Sequence, residues 1–350
     1  MSNFPVAIEK FLCYHKNMKK LQEWPVIGQK KAVQFLQAAL LSKKIAPVYI
    51  FFGPEHLGKK TIAYYFVKTL LCLKKERIFC DYCSACQSFE AGIYPDFYRL
   101  RSEEGKKNIS IEQVREINRK IQNSSFLGNY KIVLVERAEE LSQEAANSLL
   151  KTLEEPPRKT LFIFLTQYLK SIPLTIVSRS QVVNFNLVPL EEILNYLLNK
   201  NLKEDLAWEI AYLSQGRPGL AFDYLENNSL FCKRKEEIIN FLNLLNLPLA
   251  KKFDYIEEKI SAKKTLKDKC ATAINLLDDW TTIFRSLLLT KSAFEENKKE
   301  IFITETINIL SQKYSYKDLI KFIDKINQGK KYIKNNINPR LVLENLILNF

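Results

Sequence analysis

No uninterrupted apolar run in this sequence reaches the ~18 residues needed to cross a bilayer. Nor does it carry the charged-then-apolar stretch with a small-residue cleavage site that marks a secreted chain. The expectation is a soluble, intracellular protein of the cytoplasm. Glycine is scarce, nine in 350 residues, and five of the nine (Gly28, Gly53, Gly58, Gly216, Gly219) fall in motifs where backbone geometry demands it. Internal repeats and low-complexity segments are lacking as well, which leaves no basis for a repeat architecture.

What is present is length and positive charge. At 350 residues the chain exceeds the usual size of one domain, so two or three are expected, with ample material for buried cores. A formal net charge of +14 favours a polyanionic partner such as nucleic acid. A solvated lysine-rich surface accounts for the same number equally well. The Asn, Lys and Ile content reads as compositional drift as much as selection.

From Trp24 onward, helical periodicity alternates with short β-rich runs. A helix over Lys30 to Ser42 precedes the run Val48 to Phe52, and a second helix follows from Lys60 to Leu71. Further β-rich runs cover Asp96 to Leu100, Lys131 to Glu136, Thr160 to Thr166 and Gln181 to Leu187, separated by helices such as Ile111 to Gln122 and Gln143 to Glu154. This alternation predicts an α/β unit, a parallel sheet with helices on both faces. Within Gln143 to Glu154, the residues Ala145, Ala146, Leu149, Leu150 and Leu153 form a core-facing stripe, and Pro156 and Pro157 terminate the helix. Beyond Pro189 the β-rich runs cease, and Glu191 to Lys200, Ala207 to Ser214 and most of 219–350 read as amphipathic helices. A short helix around Val6 to Tyr14 is expected in the lead-in.

The first strand runs into Gly53-Pro-Glu-His-Leu-Gly58-Lys59-Lys60-Thr61, which meets the spacing G-x-x-x-x-G-K and leads into a helix. Such a loop aims backbone N–H groups and a helix N-terminus at phosphates while its lysine neutralises the terminal charge. Gly53, Gly58, Lys59 and Thr61 are therefore the candidate nucleotide-binding residues. The position after Lys59 should carry a hydroxyl for Mg²⁺, yet it is Lys60, whose ammonium repels the metal. Thr61 is displaced by roughly 100° around the helix, and His56 at the tip crowds the phosphate path. ATP binding is thus in doubt, a structural turn being the competing reading. The strand Ile132 to Val135 should end in Asp-Glu but ends in Glu136-Arg137. Glu136 partly replaces the metal-binding Asp; Arg137 has no acceptor and cannot polarise water. Hydrolysis of ATP by this chain is not expected.

Seven cysteines is an odd number, and four of them, Cys72, Cys80, Cys83 and Cys86, fall within fifteen residues. Two overlapping C-x-x-C steps with a fourth thiolate nearby suit a tetrahedral Zn²⁺ with bonds of ~2.3 Å. With all four positions filled by protein, the zinc would be structural. Cys13, Cys232 and Cys270 read as ordinary core thiols.

These motifs carry a family resemblance. Val26-Ile-Gly-Gln29, the loop Gly53 to Thr61, the inserted cysteine module, Ser110-Ile-Glu-Gln-Val-Arg115, the segment Ala145 to Pro157, Leu174-Thr-Ile-Val-Ser-Arg-Ser180 and Asn338 to Leu346 resemble the bacterial DNA polymerase III clamp loaders. These are AAA+ proteins, and the match favours their delta prime type. The resemblance covers residue 24 to the C-terminus. It implies an N-terminal extension (1–23), a RecA-like AAA+ domain (24–187) with the zinc module inserted at 72–86, a helical lid (188–235) and a helical collar (236–350).

The resemblance further implies a hetero-pentameric ring with gamma/tau and delta subunits that loads the sliding clamp onto primer-template DNA. Ser178-Arg179-Ser180 stands where the family carries Ser-Arg-Cys, so Arg179 is the candidate arginine finger, reaching in trans into a neighbour's ATP site. A loop-capping arginine is the plainer alternative. Thr166 occupies the sensor position of its strand. In Gly216-Arg-Pro-Gly219 the nucleotide-contacting arginine of active relatives falls on Gly219, so that contact is absent. DNA contacts are expected near Ser110 to Lys120, with collar pairs such as Lys251-Lys252, Lys263-Lys264 and Lys330-Lys331 as solvated faces. An ATP-hydrolysing gamma/tau-type subunit is the alternative expectation.

Overall fold

A computed structural model describes residues 24–74, 78–103, 105–106, 108–126, 129–263, 265–292 and 304–348. The expected lead-in helix around Val6 to Tyr14, Cys13 and Lys264 lie outside the described residues.

The described chain divides into two compact units. The first runs to Tyr196 and includes Gly216–Leu220, and the second holds Leu197–Gln215 and the residues from Ala221 onward. The first unit is built on a five-stranded parallel sheet of order β2-β3-β4-β1-β5. Its strands are β1 (Val48–Phe52), β2 (Phe97–Leu100), β3 (Lys131–Val135), β4 (Thr160–Thr166) and β5 (Gln181–Asn184). Helix α1 (Lys30–Leu41) precedes β1, and crossover helices connect the strands: α2 (Lys59–Leu71), α3 (Ser84–Glu90), α4 (Ile111–Gln122), α5 (Gln143–Glu154) and α6 (Leu174–Val177). A parallel sheet with helices on both faces is what the alternation of elements predicts.

Alternation along the central strands sends side chains to two cores. Tyr49, Phe51, Ile132, Leu134, Leu161 and Ile163 pack with Leu36, Ile62 and Phe66 on one face. On the other, Val48, Ile50, Val133, Val135, Phe162 and Phe164 meet Val114, Ile117, Ala145 and Leu149. The expected core stripe of α5 is buried at Ala145, Ala146, Leu149 and Leu153. Caps fix the helix starts: Ser110 and Gln113 form a reciprocal capping box on α4, and Ser142 accepts from the Ala145 N–H on α5. Buried Lys131 donates to the Ile121 and Asn123 carbonyls at the end of α4. A cation at a helix C-terminus complements its dipole.

Differences from the sequence-based expectation are local. β5 stops at Asn184, where its pairing with β1 ends at Phe52, instead of reaching Leu187. Helices α3 and α6 were not anticipated. Both are too short for a periodic pattern to register, at seven and four residues.

The second unit is helical throughout its described residues, with α10 (Asn228–Leu244), α11 (Leu249–Ser261), α12 (Leu266–Lys291), α13 (Thr304–Lys313), α14 (Tyr316–Lys334) and α15 (Pro339–Ile347) following α7 (Leu190–Leu198), α8 (Glu204–Leu213) and α9 (Pro218–Glu226), of which α7 and α9 begin in the first unit. Phe241 stacks on Trp280 at 4.8 Å within its core. Cys232 is exposed and Cys270 half-buried, so Cys232 is not the core thiol expected, because its position on α10 faces solvent.

Candidate functional site

Strand β1 delivers the chain into the loop 53–58, and α2 begins at Lys59. Gly53 is obligatory by space as well as by its positive φ, since a Cβ there would lie 2.4 Å from the Phe185 carbonyl oxygen. The loop is closed on itself. Lys59 Nζ donates to the carbonyl oxygens of Gly53 and Pro54, so the phosphate-neutralising amine is engaged by its own backbone. Burial lowers Lys59 to about 8, against the opposing pull of Glu55 and Glu139. At the tip, His56 has a left-handed backbone (φ 60°), and its carbonyl accepts the Gly219 N–H at 2.8 Å. A Cβ on Gly219 would come within 2.9 Å of that same oxygen. Gly219 is thus held by packing against the loop tip. Thr61 lies half-buried in the first turn of α2.

The two positions where the sequence pattern leads one to expect metal ligands are bridged to each other. Lys60 Nζ lies 3.2 Å from Glu136 Oε2, and Arg99 on β2 donates to Glu136 Oε1 from Nε at 2.8 Å and from Nη2. Two cations therefore occupy the carboxylate expected to serve Mg²⁺. Burial lowers Lys60, and Glu136 opposes the shift. Arg137 reaches Glu55 in the loop at 3.5 Å and Glu140 at 3.4 Å, and Gln167 donates to Glu55 at 2.6 Å. The Thr166 hydroxyl bonds locally, with its Oγ1 paired to the N–H and carbonyl of Tyr168, while its carbonyl accepts the Gly53 N–H at 3.2 Å.

Arg179 follows α6. Its guanidinium donates to the Thr175 carbonyl and to Glu154 Oε1, each at 3.1 Å, and its side chain is 40% exposed. None of these partners belongs to the 53–61 loop.

The four cysteines meet as the spacing predicts: the Sγ atoms of Cys72, Cys80, Cys83 and Cys86 all lie within 4.8 Å of one another. Bonds of ~2.3 Å in a tetrahedron separate sulfurs by roughly 3.8 Å, so the cluster fits a metal ion. Cys72 caps the C-terminus of α2 and Cys83 caps the N-terminus of α3. The Cys83 N–H donates to Cys80 Sγ at 3.4 Å and the Cys86 N–H to Cys83 Sγ at 3.5 Å, bonds that favour the thiolate. Burial pushes Cys72 and Cys86 up; at Cys83 burial also raises, but N–H donors from Cys86 and Leu73 prevail and lower it to about 6.

Residues 28–189, which hold the loop, the cysteine cluster and Arg179, match the family described as DNA polymerase III, delta subunit. That match spans somewhat less than half of the chain, and the similarity extends beyond it in individual relatives. It is 28% identical over 337 residues to DNA polymerase III subunit tau of Bacillus subtilis, covering 91% of this chain and 59% of that protein. It is 28% identical over 338 residues to subunit delta' of Buchnera aphidicola from Schizaphis graminum, covering 94% and 97%. The solved gamma subunit-related protein of Thermotoga maritima is similar at 20% identity and a TM-score of 0.40, covering 90% of this chain and 97% of that one. The relatives thus include both tau and delta' subunits of DNA polymerase III, and the chain spans only about three fifths of the length of the tau relative.

Several site residues carried no sequence signal. Arg99 and Gln167 belong to no motif, and Glu55 and Glu154, though inside motif segments, stand at positions the motifs assign no role, so only tertiary placement brings them in. The one visible hint was Glu136 itself, a carboxylate at a buried strand end that requires a cation.

Proposed function

We propose that this chain is a delta prime-type clamp-loader subunit that does not hydrolyse ATP. It organises a ring with gamma/tau and delta subunits and supports loading of the sliding clamp onto primer-template DNA. The reading divides the chain into AAA+ domain (24–187), lid (188–235) and collar (236–350), with Cys72, Cys80, Cys83 and Cys86 holding a structural Zn²⁺. Arg179 is offered to a neighbour's ATP site, where an arginine finger offsets charge on the transferring γ-phosphate. The partly exposed guanidinium, held by the still more exposed Glu154, is available for that exchange.

The observation that carries the proposal is the Lys60–Glu136 pair. It puts a fixed ammonium on the carboxylate that a hydrolysing relative would commit to Mg²⁺. Near-complete coverage of a delta' relative supports the same reading.

A gamma/tau-type ATPase is the second reading, favoured by the match to tau along 91% of this chain and by retention of Gly53, Gly58 and Lys59. Reconstitution separates the two. In a ring whose other subunits hydrolyse ATP, Lys59→Ala in this chain leaves clamp loading unchanged on the first reading and lowers it on the second.

A further inference from the structure

Lys68 lies two turns into α2, seven residues past the end of the 53–61 loop. It is a lysine with a side chain only 6% exposed. A buried ammonium persists only when paired, and this one has two carboxylates: Asp81 Oδ1 at 2.5 Å and Glu90 Oε2 at 2.7 Å. Its Nζ also sits 4.4 Å from the centre of the Phe79 ring, and Phe79 stacks on Tyr65 of the same helix. No nucleotide-loop role reaches this far along the helix.

The partners of Lys68 are distributed over every part of the cysteine module. Its carbonyl accepts the Cys72 N–H at 3.1 Å, placing the first thiol. Asp81 is the residue after Cys80, in the turn that leads to Cys83, and its backbone is left-handed (φ 65°). That conformation is tolerated by Asp but disfavoured by about 1 kcal/mol or more, so it needs an anchor. Glu90 ends α3, the helix that begins at Ser84 and carries Cys86. One ammonium therefore ties the turn between the second and third thiols, and the helix of the fourth, to the helix that the first one caps.

We propose that Lys68 is a positioning residue for the four-thiolate site, setting its metal affinity by anchoring the Asp81 turn and the α3 helix to α2. The inference rests on the reading that Cys72, Cys80, Cys83 and Cys86 hold zinc. Charge acts in the same direction as geometry. Four thiolates around Zn²⁺ carry a net charge of −2, and without Lys68 the carboxylates of Asp81 and Glu90 in the same module would lose their counter-ion. Groups that orient metal ligands from outside the coordination sphere typically change affinity by about 10- to 100-fold.

The test uses the full chain and zinc ion itself. Affinity is read by competition with a chromogenic chelator, and site geometry by the visible spectrum of the Co²⁺-substituted protein. Lys68→Met is expected to weaken zinc binding by about 10- to 100-fold and to shift the cobalt bands, with Lys68→Arg recovering most of the affinity. Lys68→Met with zinc affinity and cobalt spectrum equal to the parent chain overturns the proposal, whatever its effect on the stability of the metal-free protein. Should Lys68→Met fail to fold, Asp81→Asn asks the same question, because it frees the turn and leaves Lys68 paired with Glu90. Weakened zinc binding supports the anchor; unchanged binding overturns it. A parent chain that takes up no zinc removes the underlying metal reading and this proposal together, an outcome distinct from one zinc bound with equal affinity in parent and variant.

Discussion

Lys60 Nζ and Glu136 Oε2 stand 3.2 Å apart, joining the two positions between which a hydrolysing relative would place Mg²⁺. Arg99 holds the other oxygen of the same carboxylate. The pair is asymmetric in exposure, 47% for the lysine side chain and 17% for the glutamate. Removing either partner therefore has unequal consequences. Lys60→Met is expected to cost less than about 1 kcal/mol of stability, as for other exposed ion pairs. Glu136→Ala leaves Arg99, 16% exposed, without its carboxylate and is expected to cost about 1–3 kcal/mol. Urea denaturation of both variants checks the ordering.

Arg179→Ala should leave the isolated chain folded, with a stability change within about 1 kcal/mol, because its ion pair with Glu154 is exposed. In a reconstituted ring the same substitution is expected to lower turnover by roughly 10³-fold or more at the one neighbouring site the guanidinium serves, so that ring ATPase falls by that site's share. ATPase rates with ring assembly monitored in parallel separate a chemical loss from an assembly defect.

The position of Gly219 gives a steric prediction. A methyl group there meets the His56 carbonyl at 2.9 Å, so Gly219→Ala is expected to destabilise the first unit by about 1–3 kcal/mol, in the range of other overpacking changes. Gly219→Arg should therefore fail to restore a nucleotide contact. Thermal unfolding in the presence and absence of ATP reads both effects.

Much of this was legible in the sequence. The ends of α4, α5 and β4 follow from the Ser110 cap, the Pro156-Pro157 stop and the apolar run Leu161 to Leu165, all local signals. The four cysteines were found by spacing alone. What was not legible depends on residues distant in sequence meeting in space. Arg99 grips Glu136 across 37 residues, Gln167 reaches Glu55 across 112, and Lys68 reads in sequence as one more basic residue on a helix. Its burial arises because Asp81, Glu90 and Phe79 fold over it, and no periodicity records that. The loop's closure is of the same kind, since the G-x-x-x-x-G-K spacing is identical whether Lys59 faces a phosphate or its own carbonyls.

Lys59 supplies a pH-dependent readout. Burial holds its pKa near 8, so at pH 8 about half of the amines are neutral, whereas an ordinary exposed lysine is almost fully protonated. Because the folded chain favours the neutral form, this group adds stability as pH rises from about 8 toward 10.5 and adds none below that window. Brief acylation at pH 8 followed by peptide mapping should mark Lys59 ahead of the surface lysines, and lowering the pH to 6.5 should remove that preference.

Metal analysis of the chain purified without added metal should return one zinc per molecule. Cys83→Ser is expected to lose it and to destabilise the module, since Cys83 both contributes a thiolate and caps α3.

The central claim is that this chain does not turn over ATP, and steady-state ATPase of the isolated protein with Mg²⁺ tests it most directly. The account predicts no hydrolysis above background, with identical traces for the parent chain and Lys59→Ala. Turnover by the parent chain that Lys59→Ala abolishes would contradict it.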